Sequence, residues 1–243
     1  MCNQSRYFTH CYSLSLCTGA AYGDPHLITL DGGRYTFNGK GVFYLVKTID
    51  DSFEVQVRMV QGLSRSNTPL RSTVIEAVAA KEYSSNTVVF EASRRGLRVT
   101  VEEEDVELIL GVEQHFTDVT LLSEVSTNRV AATFSSGAFV EARQENGFVA
   151  VLIVSLPQRY KNITRGLLGT FTGSTFDDFV PKTSTAPVSI NASREVLHNQ
   201  FASTCELALP KVYVTAGPWP CAHTSVARML CAATNEGVHT FLG

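Results

Sequence analysis

Apolar and polar residues alternate along this chain with a period of two, and this alternation constrains the fold more than any other feature of the sequence. The clearest run has apolar Phe53, Val55, Val57 and Met59 separated by polar Glu54, Gln56 and Arg58. Because successive side chains of a β-strand point to opposite faces, the run predicts a strand with one buried and one solvated face. No long segment before about residue 190 has a helical period. We therefore expect an all-β fold.

Turn signals divide the chain from Leu27 to Leu156 into short strands. The strongest is Asn146-Gly147, which lies between Phe139–Arg143 and Phe148–Leu156 and predicts a hairpin, because both residue types accept the positive φ angles of a two-residue turn. Phe148–Leu156 is almost entirely apolar, as expected of a central strand covered on both faces. It is too short to cross a bilayer. Pro157 ends the strand because proline has no N–H to donate.

The acidic run Glu102 to Asp105 lies between two further alternating segments, Val99–Val101 and Val106–Leu110. We interpret the run as a solvated turn between two strands, with a cation site as the alternative. Strands of roughly five to eight residues with turns between them predict an all-β sandwich or flattened barrel. One short helix is predicted near the end, over Ser193–Phe201, with Asn191 or Ser193 as its N-cap.

The six cysteines fall into two groups, with Cys2, Cys11 and Cys17 at the front and Cys205, Cys221 and Cys231 at the back. No cysteine lies between Thr18 and Thr204. This distribution predicts short disulfide-tied segments around a core that holds together by packing. The pairing stays open. Free cytosolic thiols are the alternative, whereas the absence of a C-x2-C or H-x3-H pair argues against zinc.

Charge and modification signals limit the partners. The net charge is −3 and no basic cluster is present, so nucleic acid is not expected as a partner. Three N-x-[ST] sequences predict N-glycosylation of Asn3, Asn162 and Asn191 in a secreted setting. No G-x-S-x-G, H-E-x-x-H or phosphate-binding glycine loop occurs. The sequence therefore predicts no catalytic residue.

Two motifs stand far apart in a fixed order. The opening motif reads GDPHLITLDG from Gly23 and continues with YTFNGKG from Tyr35; the closing motif has GLLG from Gly166 and then Asp177-Asp178-Phe179. Together they resemble the opening and closing motifs of the von Willebrand factor type D domain. The segment LPQRYKNITRGLLG, from Leu156, is similar to the membrane-mucin branch of that family. The resemblance implies a β-sandwich of antiparallel strands with a short C-terminal helix.

The resemblance also implies a domain plan and a function. Residues 1–19 would end a preceding domain, residues 20–202 would form the D domain, and residues 203–243 form a tail without an assigned fold. We expect a non-catalytic extracellular module of a cell-surface mucin-like or sushi-domain glycoprotein, acting in adhesion or cell-surface organisation, with the membrane anchor outside this chain. Its expected partners are other domains of the same glycoprotein and extracellular proteins or glycans. A yolk-type lipid-transport module and a hydrolase with an unrecognised carboxylate pair are the alternatives.

In the family, a calcium ion joins the opening and closing motifs. The corresponding positions here are Asp31, Thr170, Thr172, the carbonyl of Ser174, Asp177 and Asp178. Carboxylates on loops suit calcium, which prefers several oxygen ligands in a flexible arrangement. Thr170 and Thr172 depart from the family pattern, and a neutral hydroxyl is the weaker ligand, so we expect weak binding. The alternative is structural, with Asp31 as a turn former and Asp177-Asp178 as a cap.

Multimer-building members of the family carry C-G-L-C-G in the closing motif. Arg165 and Leu168 stand at the positions of its two cysteines here. Thiol–disulfide exchange requires a thiolate. Covalent multimerisation through this motif is therefore not expected.

The Asp24-Pro25 bond has two interpretations. Proline fixes its own φ and favours an extended residue before it, which suits a rigid turn. Some mucin-type relatives that share G-D-P-H are cleaved at this bond while the halves stay associated. In that reaction Asp24 attacks its own carbonyl carbon, and His26 supplies a proton to the departing nitrogen of Pro25.

Overall fold

The computed structural model describes residues 16–197 except 65, 67, 94, 124–127, 181–185, 190 and 194–195. The strands are Leu16–Tyr22 (β1), His26–Ile28 (β2), Arg34–Thr36 (β3), Gly41–Thr48 (β4), Phe53–Leu63 (β5), Pro69–Glu82 (β6), Val88–Ser93 (β7), Gly96–Val101 (β8), Glu104–Asp105 (β9), Gln114–Phe116 (β10), Val119–Leu122 (β11), Arg129–Phe134 (β12), Phe139–Glu145 (β13), Phe148–Pro157 (β14) and Thr164–Arg165 (β15). Single-turn 3₁₀ helices span Gln158–Tyr160 and Thr175–Asp177. The all-β prediction is confirmed.

Several expectations lie outside the described residues. They concern Asn3, the tail over residues 203–243 and every cysteine except Cys17. Of the helix expected over Ser193–Phe201, the structure describes Ser193, Val196 and Leu197, and the Ser193 hydroxyl accepts the N–H of Val196 at 3.3 Å. The extent of that helix stays a prediction. Within the described ranges, no helix has the length and apolar character needed to span a membrane.

The strands pair antiparallel along a path β10-β11-β12-β13-β14-β6-β5-β4-β15. Strands β1, β2 and β3 continue from β14, and β7, β8 and β9 continue from β6. A single residue pair, Val149 with Ile75, joins β14 to β6, so the path consists of two sheets connected there. The ring of Phe53 on β5 packs edge-on against Phe134 on β12, with centroids 5.4 Å apart. The two sheets therefore face each other across an apolar core.

The β13–β14 hairpin confirms its sequence prediction. Asn146 and Gly147 form the two-residue turn with φ angles of 53° and 80°. β14 then pairs with β13 on one side and with β1 on the other and ends at Pro157. It is the central strand of its sheet, as its apolar sequence indicates.

The solvated face predicted for β5 is wrong. Gln56 and Arg58 are buried, and the Arg58 side chain is only 1% exposed. Its guanidinium donates to Glu76 Oε2 on β6 and to Glu91 Oε1 on β7, both at 2.6 Å. A charged residue can be buried when its charge is paired and hydrogen-bonded. The polar half of the alternating pattern therefore marks a buried ion-pair face and not contact with water.

Glu102 and Glu103 form an exposed turn within the acidic run, Glu104–Asp105 form the short strand β9, and the strand expected over Val106–Leu110 is wrong. β9 ends at Asp105, and Leu110 forms only an isolated bridge with Ser123. Between them, the Gln114 amide accepts from the N–H of Ile109 and donates to the carbonyl of Glu107. A side chain thus occupies backbone groups that a neighbouring strand would otherwise pair, so the alternating residues do not extend the sheet.

Candidate functional site

β1 precedes the opening motif, and the sequence pattern predicts no strand there. The boundary expected after residue 19 falls inside this strand. Gly19 explains how β1 meets the closing motif, because a Cβ at this position would lie 2.8 Å from Leu168 Cδ1 and 3.1 Å from the carbonyl oxygen of Ile28. The absence of a side chain lets the GLLG segment pack directly on β1 and β2.

The structure brings the opening and closing motifs together. The N–H of Leu30 donates to the carbonyl of Leu168 at 2.9 Å. The Tyr35 hydroxyl donates to the carbonyl of Leu167, and the Tyr35 ring packs edge-on against Phe179 with centroids 4.8 Å apart. The Leu30 N–H and the Tyr35 side chain of the opening motif thus contact both the GLLG segment and Phe179 of the closing motif.

The Asp31 carboxylate anchors the closing loop. Its Oδ2 accepts three successive backbone N–H groups, from Thr172 at 2.9 Å, Gly173 at 2.9 Å and Ser174 at 3.1 Å, and it contacts the Thr172 hydroxyl at 3.1 Å. Successive N–H groups that converge in this way form a nest for an anion. Asp31 therefore does more than shape its own turn, because it ties the loop to the opening motif across 141 positions of sequence.

Two threonines stand at positions where the family resemblance implies calcium ligands. The Thr170 hydroxyl donates to the carbonyl of Asp177 at 2.7 Å. The Thr172 hydroxyl lies 2.8 Å from Asp177 Oδ1, so its single proton can bridge the carboxylates of Asp177 and Asp31. The Ser174 side chain accepts the N–H of Phe176 and so caps the 3₁₀ turn that carries Asp177. These hydroxyls join polar groups that would otherwise repel or remain unpaired.

Asp178 is the buried acid of the site, with 2% of its surface exposed. Its Oδ2 accepts the Thr29 hydroxyl at 2.7 Å. Among the described residues, no group hydrogen-bonds to its Oδ1. Burial raises the pKa of Asp178 to about 6, and the nearby charges of Asp31 and Asp177 act in the same direction, while the Thr29 bond opposes them. No sequence pattern identifies Thr29, because its partner lies 149 positions away.

The donor set fits a cation only in part. A buried carboxylate oxygen without a partner requires a proton or a cation, and Asp178 Oδ1 is such an atom. Within the described ranges, however, no three acidic, histidine or cysteine side chains lie close enough together to hold a metal ion. Any calcium here would therefore depend on Asp178 and Asp177 together with hydroxyl and carbonyl oxygens, including that of Ser174.

The GDPH segment forms the tight connection between β1 and β2. Tyr22 pairs with His26 across this turn, and Gly23 has a φ of 63°. His26 Nε2 lies 3.2 Å from Asp24 Oδ1, and His26 Nδ1 lies 2.9 Å from the Thr36 hydroxyl on β3. The imidazole is thus held between the Asp24 carboxyl and a fixed hydroxyl. No sequence pattern identifies Thr36, which faces His26 only through the β2–β3 register.

The other predicted site residues are dispersed around this region. Arg165 is exposed on β15, and Leu168 is fully buried. Cys17 is half-buried on β1, and burial raises the pKa of its thiol. Asn162 and Asn191 are exposed, as their predicted modification requires.

Comparisons with known proteins agree with this geometry. A family model of the von Willebrand factor type D domain matches residues 19–185. The chain is 32% identical over 192 residues to human Sushi domain-containing protein 2, covering 74% of this chain and 23% of that protein. It is 32% identical over 177 residues to human Mucin-4, covering 68% and 3%, and 29% identical over 206 residues to Protein mesh of Bombyx mori, covering 76% and 12%.

The chain spans less than a quarter of the length of each of these three relatives. The similarity predicted to mucin and sushi-domain proteins is confirmed. Because the family model covers more than half of its residues, this chain belongs to the von Willebrand factor type D domain family.

Proposed function

We propose that this D domain is a non-catalytic structural and interaction module of a cell-surface glycoprotein, acting in adhesion or cell-surface organisation. The observation that carries the proposal is the nest of N–H groups from Thr172 to Ser174 around Asp31. These hydrogen bonds occupy the Asp31 carboxylate, which thereby holds the opening and closing motifs together. A carboxylate occupied in this way favours a structural role over proton transfer.

The relatives support an extracellular setting. Sushi domain-containing protein 2 and Mucin-4 carry matching segments, and human Zonadhesin is 24% identical over 157 residues. Each relative is far longer than the matched segment, which fits a module among other domains. The partners we propose are neighbouring domains of the same glycoprotein and extracellular proteins or glycans.

Cells that display the parent glycoprotein provide the test. We expect deletion of this domain to reduce cell–cell adhesion. Gly169→Ala should do the same at matched surface level, because a Cβ at that position would lie 2.7 Å from Asp178 Cγ and destabilise the closing motif. Gly173→Ala in the same loop should retain adhesion, because that position has space for a methyl group. Unchanged adhesion after deletion would contradict the proposed role.

We further propose weak calcium binding centred on Asp178 and Asp177, with Thr170, Thr172 and the Ser174 carbonyl as additional oxygen donors and with Asp31 holding the loop that carries them. The unpartnered Asp178 Oδ1 supports this proposal. When the pH is above the pKa of Asp178, its buried carboxylate is charged, and calcium would supply the compensating positive charge. The two threonines keep affinity low because a hydroxyl brings no charge.

Calcium at ten times its Kd should stabilise the domain by about 1.4 kcal/mol, which raises Tm by roughly 3–5 °C in a domain of this size. Asp178→Asn should abolish the shift. Thr170→Asn with Thr172→Asp should lower Tm without calcium, because it adds a carboxylate beside Asp31, and should enlarge the calcium response. Calorimetry with magnesium as the control ion measures both effects.

The pH dependence gives an independent control. The pKa of Asp178 is raised from 3.8 to about 6 in the folded chain, so between these values the folded state holds a proton that the unfolded state has released. Stability without calcium should therefore fall as pH rises through this window. Asp178→Asn should flatten the curve. A calcium shift that persists in Asp178→Asn would exclude this site.

A second candidate function is self-cleavage at Asp24–Pro25, favoured by the contact between Asp24 Oδ1 and His26 Nε2. The Asp24 carboxylate would attack its own carbonyl carbon, the bond to Pro25 nitrogen would break as that nitrogen gains a proton, and water would open the resulting cyclic anhydride. β1 pairs with β14 from Leu16 to Tyr22, so the short N-terminal piece would stay in the sheet after scission.

After incubation at mildly acidic pH, we expect denaturing, reducing electrophoresis and mass spectrometry to show a new N-terminus at Pro25. Asp24→Ala should abolish cleavage. His26→Ala should slow cleavage about 100-fold, within the range for general acid catalysis. Thr36→Val should slow cleavage by a smaller factor, because it removes the hydroxyl that orients the imidazole. Scission that continues in Asp24→Ala would rule out the carboxylate attack.

A further inference from the structure

The sequon Asn162-Ile163-Thr164 has an exposed asparagine and a sealed hydroxyl. Thr164 is fully buried. Its Oγ1 accepts the N–H of Phe171 at 2.7 Å and lies 3.5 Å from the carbonyl of Gly169, to which it donates. The hydroxyl of the sequon is thus part of the core that holds the closing motif.

The backbone of the sequon is fixed as well. Asn162 has a φ of 66°, and its N–H donates to the carbonyl of Phe171 at 2.7 Å. The carbonyl of Ile163 accepts the N–H of Ile49 at 2.8 Å, and Thr164 pairs with Thr48 in the β4–β15 ladder. Presenting this tripeptide to an enzyme would require β15 to leave the sheet.

From these contacts we propose that Asn162 carries an N-linked glycan that is attached only before the closing motif folds. The proposal rests on the extracellular setting proposed above. The acceptor sequence N-x-[ST] includes the hydroxyl residue, so the transferase must reach Thr164 while that side chain is still free. The same hydroxyl serves afterwards as a hydrogen-bonding group of the folded core.

The transfer uses a lipid-pyrophosphate-linked oligosaccharide as donor. Asn162 Nδ2 forms a bond to the anomeric carbon and loses one proton, while the bond from that carbon to the pyrophosphate oxygen breaks and the lipid pyrophosphate leaves. After folding, the glycan stands beside the closing loop, because Asn162 bonds to Phe171 and the neighbouring Lys161 Nζ lies 3.9 Å from where a Cβ on Gly173 would be.

The second described sequon, Asn191-Ala192-Ser193, is a matched control within the same chain. Both Asn191 and Ser193 are exposed. A transferase acting on the folded chain should therefore reach Asn191 and not Asn162.

The test incubates the unglycosylated full chain, made in bacteria, with purified oligosaccharyltransferase and its lipid-linked donor. We expect Asn191 to be modified at least about tenfold faster than Asn162, since modification of Asn162 requires local unfolding of β15. A synthetic peptide covering residues 156–170 should be modified readily at Asn162. Peptide mass spectrometry of the protein secreted from animal cells should find Asn162 occupied. Equal rates at the two sites of the folded chain would overturn the proposal.

Variants separate the two roles of Thr164. Asn162→Asp removes the acceptor and keeps a residue that tolerates positive φ, so it should lose the glycan without a change in Tm relative to the enzymatically deglycosylated protein. Thr164→Val should lose the glycan and also lower Tm. If Asn162 alone is bare in the secreted protein, the proposal fails; if both sequons are bare, the extracellular setting fails with it.

Discussion

Gly169→Ala should destabilise the domain by about 3 kcal/mol, the sum of a positive-φ cost and of overpacking. Gly169 has a φ of 76°. A Cβ there would lie 2.7 Å from Asp178 Cγ and 2.9 Å from Asp178 Cβ and would overlap the unpartnered Oδ1. Asp178 is buried and hydrogen-bonded to Thr29, so its side chain cannot shift to make room for the added methyl group without losing that bond. The methyl group therefore displaces the Asp178 carboxyl from the Thr29 hydroxyl, which weakens the contact between the closing and opening motifs.

Gly173→Ala is the matched control for this substitution. Gly173 also has a positive φ, 96°, but a Cβ there would meet only Lys161 Nζ at 3.9 Å. We expect Gly173→Ala to cost about 1 kcal/mol, from the backbone alone. Gly169→Ala should cost about 3 kcal/mol, which corresponds to a fall in Tm of roughly 10 °C. The double variant with Asp178→Ala should lose less than the sum of the two single effects, because the two sites share one contact. Equal melting temperatures for the two glycine variants would contradict the packing described here.

Arg58→Met should cost about 3 kcal/mol, at the lower end of the range for breaking a buried ion pair. The substitution leaves Glu76 and Glu91 without the guanidinium that contacts both at 2.6 Å. Arg98 still reaches Glu91, and both acids keep some contact with solvent, which moderates the loss. Urea unfolding at neutral pH measures the effect.

Arg98→Met tests the exposed end of the same charged face. Arg98 is 40% exposed and pairs with the exposed Asp105, so its loss should cost less than about 1 kcal/mol. High salt should weaken the Arg98 contribution and leave that of Arg58 nearly unchanged. A loss for Arg58→Met as small as that for Arg98→Met would mean that the charges of this face are solvated, as the sequence pattern alone suggests.

Local signals were sufficient where the structure depends on local geometry. Asn146-Gly147 specifies its hairpin because the turn itself requires two positive φ angles. β5 was predicted as a strand for a similar reason, but the environment of Arg58 was not, because burial of a charge depends on acids from two other strands. β1 has no alternating pattern, and Gly19 matters through its close contact with Leu168, which the local sequence does not indicate.

The candidate site divides in the same way. Asp31, Asp177 and Asp178 could be identified through their place in the two motifs, and the structure brings all three to one region. The roles of Thr29 and Thr36 could not be predicted, because each depends on cross-strand or long-range placement of a partner. Thr170 and Thr172 correspond to calcium ligands of the family, and the contacts of their hydroxyls with Asp177 depend on a loop geometry that the sequence pattern does not specify.

Amide hydrogen exchange at Thr172, Gly173 and Ser174 reports whether the opening and closing motifs form one unit. These three N–H groups belong to a surface loop but donate to Asp31 Oδ2. We predict that they exchange as slowly as amides of the β13–β14 hairpin, and that Asp31→Ala makes them exchange rapidly while the hairpin stays protected. Rapid exchange of all three amides in the unaltered protein, with the hairpin protected, would show that Asp31 does not hold the two motifs together.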